Sequence, residues 1–332
     1  MSHFPVSNSN LSAAHLAQFI REKYNTGNST KCRILKAGIN DTYLVEGESG
    51  KFVFRVYNYN WRTETEILEE IKLLTEFKNH NISVSYPITD HSGNFLQEFA
   101  APEGRRFGLM FSYAAGKKVL NFNTEIHFHI GALMARMHLV AEKIQLDRVT
   151  YTGQVLLVDS LKKLETFLPE NTPETEFMFS TQSYLLSEIA GVKTEQIRHG
   201  AVHMDLWFDN LNISDSDEVT FFDFDFCGNG WLCMDLAYYI LQVHSTEKNE
   251  TERNQKVAAF LKGYESVTAL TAEEKRIIPM LGVCLYFFYL GIQAERYDNW
   301  SNVFFNDLYL QRYISLLVKP YFERQVIGNE SH

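Results

Sequence analysis

One short β-rich island inside a long helical stretch constrains this chain most. From residue 123 onward, apolar residues recur at helical spacing over 123–143, 156–168, 175–195, 233–246, 251–265, 271–297 and 304–320. That pattern breaks at NLNI (210–213) and VTFFDFDF (219–226), which read as two short strands. The island holds two acids, Asp223 and Asp225, among phenylalanines. The segment running into it, His203–Asn210, reads HMDLWFDN and adds Asp205 and Asn210.

The front of the chain has the opposite character. Residues 11–25 have helical spacing, and 31–58 carry β-rich runs with a hairpin around Gly47 and Gly50. Residues 63–79 are amphipathic, with Ile67, Ile71 and Leu74 on one face. Short strands follow near 83–88 and 94–99, then FGLMFSYAAG at 107–116. A β-rich front with one main helix, then a helical back with a β island, is a bilobal α+β pattern. The boundary is expected near SYAAG, giving lobes 1–112 and 113–332. A chain of 332 residues, 45% hydrophobic, can bury the cores of two such lobes.

HMDLWFDN fits H-x-D-x-x-x-x-N, the pattern of a phosphoryl-transfer loop. Transfer of a γ-phosphoryl group needs an acceptor hydroxyl oriented and relieved of its proton, and Asp205 can take it. A carboxylate is charged at pH 7 without tuning. The reaction also needs magnesium near the phosphates, and Asn210 offers a neutral oxygen ligand from the same loop. Asp223, 13 residues later and across a predicted hairpin, can supply the charged ligand. Turn or helix-cap roles for Asp223 and Asp225 are the plainer alternative. A rival register starts at His199-Gly200, but it puts Ala201 at the base position and Leu206 at the metal position. His199 and Gly200 therefore read as strand or turn residues leading into the loop.

These residues resemble the aminoglycoside phosphotransferase/choline kinase-like family. That family reads H-G-D-x-x-x-x-N, then a strand ending in an acid, then D-x-A opening a helix. The counterparts here are HMDLWFDN, FFDFD and MDLA, with Met204 in place of the usual Gly and Trp207 in place of a common His. Asp235 opens the last of these and is expected to cap its helix or brace the loop. GALMARMH (131–138) is similar to the family's G-x-x-L-A-x-L-H helix, and LMFSYAAG (109–116) to the segment joining its lobes. Within the family, FVFRVYNYNWRTETEILEEIKLL and YFFYLGIQAERY are similar to the homoserine kinase-like and stress-response kinase branch.

The resemblance implies a protein-kinase-like fold, with ATP in the cleft between a small nucleotide-binding lobe and a larger catalytic, substrate-binding one. It implies that the Ser112 and Ala114 backbones meet the adenine edge. It places Arg55 where kinases carry the phosphate-binding Lys, and Arg can clamp two oxygens bidentately. The expected partner of Arg55 is Glu70, ahead of Glu69. Gly38 and Asn40 lie in the loop that takes the place of a phosphate-covering turn, although it lacks G-x-G-x-x-G. The implied cofactors are ATP and Mg2+, and the implied acceptor is a small-molecule hydroxyl on an amino alcohol, sugar or aminoglycoside. A Ser/Thr protein kinase of the stress-response type and a nucleotide-binding pseudokinase are the alternatives.

Composition narrows the partners. A net charge of −10 argues against nucleic acid and is compatible with a cationic acceptor. The four cysteines form no CxxC pair, so neither a disulfide framework nor a zinc site is expected. The N-terminus MSHFPVSNSN lacks the basic and apolar segments of a signal peptide. The apolar stretch 278–292 contains Pro279 and reads as a buried helix, not a membrane span. Together these point to the cytosol. For acceptor contacts the candidates are Tyr286, Phe287, Tyr289, Gln293, Glu295, Arg296 and Trp300, with a plain core role for the aromatics as the competing reading.

Overall fold

The computed structural model describes residues 4–298 and 302–328. Its first compact unit runs to Lys118 and takes in Leu211–Asp223. Strands β1 (Lys31–Lys36), β2 (Asn40–Gly47), β3 (Gly50–Tyr57), β4 (Pro87–Ile88), β5 (Leu96–Ala101) and β6 (Gly104–Ser112) form one antiparallel sheet. The order is β1-β2-β3-β6-β4, with β5 also on β6. Helix α1 (Ala13–Lys23) lays Leu16 and Ile20 on Tyr43, Val45, Phe54, Val56 and Met110 of this sheet. Helix α2 (Glu64–Asn79) starts at a capping box, Thr63 with Glu66. It buries the expected Ile67, Ile71 and Leu74, and also Glu70.

Residues 211–223 of the island join this unit, while Asn210 and Phe224–Phe226 fall in the helical one. Strands β8 (Leu211–Ile213) and β9 (Val219–Phe221) pair with each other. Lys117 bridges Ile213, and residues 83–85 pair along Phe221 through the Ser85 N–H to Phe221 carbonyl and Phe221 N–H to Ser83 carbonyl bonds. Of the strand expected at 83–88, only Pro87–Ile88 therefore belongs to the main sheet. Backbone pairing assigns the island to its unit, and no side-chain periodicity announces that.

The second unit comprises Val119–Asn210 and the chain from Phe224 onward. Its helices include α3 (Thr124–Ala141), α4 (Ser160–Leu164), α5 (Pro173–Ala190), α6 (Cys233–Thr246), α7 (Glu250–Glu265), α8 (Ala272–Glu295) and α9 (Asp307–Tyr313). Two expected helices are less regular than read: Gln154–Asp159 and Ile314–Val318 wind as π-helical turns. Helices α3 and α7 touch backbone to backbone. A Cβ on Gly131 would lie 2.0 Å from the Phe260 carbonyl, and one on Gly263 2.0 Å from that of Phe128. Strand β7 (His199–Val202) leads into the 203–210 loop and pairs with β10 (Gly228–Trp231), whose GNGW composition carries no strand signal. Helix α8 is long and apolar enough to cross a membrane, but 78% of its apolar window is buried in the fold, as a core helix requires. The four cysteines are free thiols.

Candidate active site

Within the first unit, β3 presents Arg55 to two acids. Its guanidinium donates to Glu70 Oε1 and to Asp223 Oδ1, each at 2.9 Å. Glu70 is fully buried and also accepts the Tyr57 hydroxyl at 3.0 Å. The neighbouring Glu69 instead pairs with Lys72 on the surface. Arg55 lies 4.9 Å from the centroid of the Phe111 ring, so its charge is held between carboxylates and an aromatic face. Asp223 follows β9 with φ +66°, a left-handed backbone that turns its carboxylate onto Arg55. Its other oxygen, Oδ2, has no partner among the described residues.

The loop between β1 and β2 is pinned from behind. Asn58 donates its Nδ2 to the Gly38 carbonyl at 2.8 Å, and its N–H reaches Asn40 Oδ1 at 3.4 Å. Asn58 Oδ1 in turn accepts from the fully buried Arg106, which also pairs with Asp41. At the end of β6, the Ser112 N–H is spent on the Tyr86 carbonyl. The Ser112 carbonyl accepts the Ser85 hydroxyl and keeps a second lone pair. The Ala114 carbonyl accepts Asn212 Nδ2, whereas its N–H has no partner among the described residues. One acceptor site and one donor two residues apart thus remain on this segment.

Within the second unit the 203–210 loop is built around Asp205. Its Oδ1 accepts the Tyr238 hydroxyl at 2.7 Å and its Oδ2 accepts Asn210 Nδ2 at 2.8 Å. Asn210 Nδ2 also donates to the Asp205 carbonyl, which orients the amide and turns Oδ1 the other way. Tyr238 is buried, and burial followed by the Asp205 charge pushes its phenol well above the ordinary value, so it stays a donor. Tyr238 escaped the sequence reading. It sits in an apolar helix 33 residues from its partner and has the signature of a core aromatic.

Asp235, at the start of α6, braces the loop. Its carboxylate accepts the His203 N–H at 2.9 Å, the Met204 N–H at 2.7 Å and His138 Nε2 at 3.1 Å. Burial opposes its charge, but the His138 hydrogen bond and the His138 and His203 charges outweigh that, so its pKa is lowered. His138, from GALMARMH, also meets the Tyr264 hydroxyl at 2.9 Å. Met204 has φ +70°, a conformation that suits Gly, and this explains the Gly of the H-G-D pattern. The strain, on the order of 1–2 kcal/mol, is offset by the Asp235 bond and by Tyr289, whose hydroxyl donates to the Met204 carbonyl at 2.8 Å.

The acceptor candidates of 284–300 are mostly structural. Tyr286 is buried on Ser245 and Phe287 is core. Tyr289 holds the loop, Gln293 accepts from Tyr309, and Glu295 pairs with Lys163 on the surface. Arg296 sits beyond the end of α8, and Trp300 lies outside the described residues.

Residues 31–270 match the phosphotransferase enzyme family. A homoserine kinase of Neisseria meningitidis is 26% identical over 266 residues, covering 77% of this chain and 80% of that one. An uncharacterised protein of Synechocystis is 29% identical over 285 residues, covering 84% of this chain and 77% of that one. Among solved structures, an amicoumacin kinase in complex with AMP-PNP, Ca2+ and Ami superposes with TM-score 0.74 at 20% identity, covering 92% of this chain and 93% of that one. A microcompartment-associated aminopropanol kinase gives 0.73 at 19%, covering 92% and 98%. These superpositions establish the protein-kinase-like fold, and the match over 31–270 makes this chain a member of the phosphotransferase enzyme family.

Proposed function

We propose that the protein transfers the γ-phosphoryl group of ATP to a hydroxyl of a small molecule, with Asp205 as the base. The observation that carries this is the Asp205 carboxylate, held by Tyr238 on Oδ1 and Asn210 on Oδ2, in a loop braced by Asp235. This grip fixes the direction in which the carboxylate faces an acceptor. The acceptor O–H gives its proton to Asp205 as its oxygen bonds to the γ-phosphorus. The bond to the bridging oxygen breaks, and its electron pair leaves with ADP.

Arg55, held by Glu70, would clamp phosphate oxygens, and the free Ser112 lone pair and Ala114 N–H complement an adenine edge. Gly38 and Asn40 would lie along the phosphates, in a loop fixed by Asn58. For Mg2+ the first unit offers one hard oxygen, Asp223 Oδ2, and the second offers another, the Oδ1 that Asn210 turns away from Asp205. Mg2+ held by these residues would neutralise phosphate charge. The free thiols support a cytosolic setting.

The test is a radiolabelled-ATP screen over homoserine, amino alcohols, sugars, aminoglycosides and protein substrates. Label on a small alcohol is the expected outcome. Label on protein alone favours a protein kinase, and absence of ATP turnover a pseudokinase; either result rejects the proposal.

A further inference from the structure

The second unit holds a cavity of about 170 Å³ beside the catalytic loop. Trp207 and Phe208, the second and third residues after Asp205, form one wall. Two residues of chain span at most about 7 Å, so the cavity opens close to the base. A second element makes the same link. Helix α6 gives Tyr238 to Asp205, while the next residue, Tyr239, lines the cavity and bonds His127 Nδ1 at 2.9 Å.

The polar lining is specific. Lys256 is 8% exposed and spends two N–H groups on Asn121 Oδ1 and Glu247 Oε2, both at 2.6 Å. Its third N–H has no partner among the described residues. His127 is 4% exposed; burial, then the Lys256 charge, holds it down to about 4, so it is neutral near pH 7. The Tyr239 hydroxyl and His127 Nδ1 share one hydrogen bond, so each ring keeps one polar group for the cavity. His127 Nε2 is without a protein partner among the described residues. The hydrogen bond from Lys256 holds Glu247 below its usual range, so it is ionised. The charges of Lys256 and Glu247 cancel, and the lining is net neutral with an aromatic wall.

We infer that this cavity is the acceptor subsite and takes a small hydroxylated molecule of zero net charge, a zwitterion or a polyol, with Trp207, His127 and the Lys256–Glu247 pair setting specificity. The inference rests on the phosphoryl-transfer reading. An acceptor of zero net charge can take the spare Lys256 N–H, hydrogen-bond to His127 Nε2 and pack on the indole. A cation meets an ammonium whose counter-charge is already engaged, and an anion meets Glu247. The volume accommodates roughly six water-sized groups, which suits a compact acceptor.

Four probes separate the possibilities: homoserine (zwitterion), glycerol (polyol), 1-aminopropan-2-ol (cation) and glycerate (anion). Binding is read by calorimetry with the full chain, and turnover by kcat and KM at fixed ATP. A neutral probe should bind most tightly, and the choice between homoserine and glycerol identifies which neutral class it is. Glu247→Gln should shift preference toward glycerate, and Lys256→Gln toward aminopropanol, by about tenfold each through KM. Trp207→Ala should raise the KM of the preferred probe about tenfold while the KM for ATP holds. The inference is overturned if aminopropanol or glycerate is preferred by the wild type, if the two charge variants leave preference unmoved, or if none of the four binds at millimolar concentration. Calorimetric binding without transfer would instead reject the phosphoryl-transfer reading, and with it the acceptor role, leaving only a binding site for a neutral small molecule.

Discussion

Replacing Asp205 by Asn tests the site most directly. The side chain keeps its shape but loses its charge and its ability to take a proton. Loss of a general base costs roughly 10²–10⁴-fold in rate, or about 2.7–5.5 kcal/mol of barrier. The structure adds a second effect. Both carboxylate oxygens accept, from Tyr238 at 2.7 Å and from Asn210 at 2.8 Å. An amide has a single acceptor oxygen. If that oxygen faces the Asn210 amide, the NH2 group faces Tyr238, whose hydroxyl must rotate to accept and then strands its own proton. An unsatisfied buried donor costs about 1–3 kcal/mol. Asp205→Asn should therefore lose transfer and melt a few degrees lower, while ATP affinity stays near wild type. Tyr238→Phe keeps the base and removes one of the hydrogen bonds that guide it, so it should cost only about tenfold in rate. The assays are single-turnover phosphorylation of an identified acceptor, nucleotide titration and thermal unfolding on each variant. Near wild-type transfer by Asp205→Asn, or equal damage from Tyr238→Phe, would show that the base is misplaced.

Arg55→Ala leaves the buried Glu70 without its guanidinium, which should cost about 3–5 kcal/mol of stability and raise the KM for ATP. Arg55→Lys should recover part of both, and unchanged melting and KM would contradict the role. Asp235→Ala removes the acceptor of two loop N–H groups and of His138, so stability and kcat should fall together. A normal kcat would refute the brace. Met204→Gly keeps the backbone bonds and relieves the left-handed strain but empties a buried site, so it should lose about 2 kcal/mol in denaturant titration with kcat changed less than about threefold. His127 and His244 are held down to about 4 by burial, and then by the Lys256 charge and by Arg253 and Arg324 respectively. An unfolded chain takes up these protons near 6.5, so their contribution is intact above that pH, shrinks as pH falls, and levels off below about 4. The loss is about 2 kcal/mol per histidine at pH 5. A denaturant midpoint equal at pH 7 and pH 5 would refute it.

Much of the site was legible because phosphoryl transfer demands particular groups at short separations along the chain. Asp205 and Asn210 share one loop, and their hydrogen bond is a local consequence of that spacing. Arg55 and Glu70 could be paired because a β-rich run followed by an amphipathic helix puts one residue of each face to face. The choice of Glu70 over Glu69 needed the helix phase, which Ile67, Ile71 and Leu74 define. The Asp223–Arg55 contact spans 168 residues and follows no periodicity.

The sequence by itself determined the order of elements, the helical back, the sheet and the charged residues of the loop. Those follow from side-chain period, turn residues and acids, which act over a few residues. Tertiary structure alone decided that the island pairs with residues 83–85 and 117, and that GNGW is a strand. It also decided that Tyr238 and Tyr289, alike in an apolar helical pattern, point their hydroxyls at the Asp205 carboxylate and the Met204 carbonyl. The aromatic run of α8 went to core and loop support, and the cavity formed instead from Trp207, His127, Glu247 and Lys256, which no linear motif joins. The reason is physical: a hydrogen bond between distant residues depends on where both backbones end up, and local propensity does not encode that.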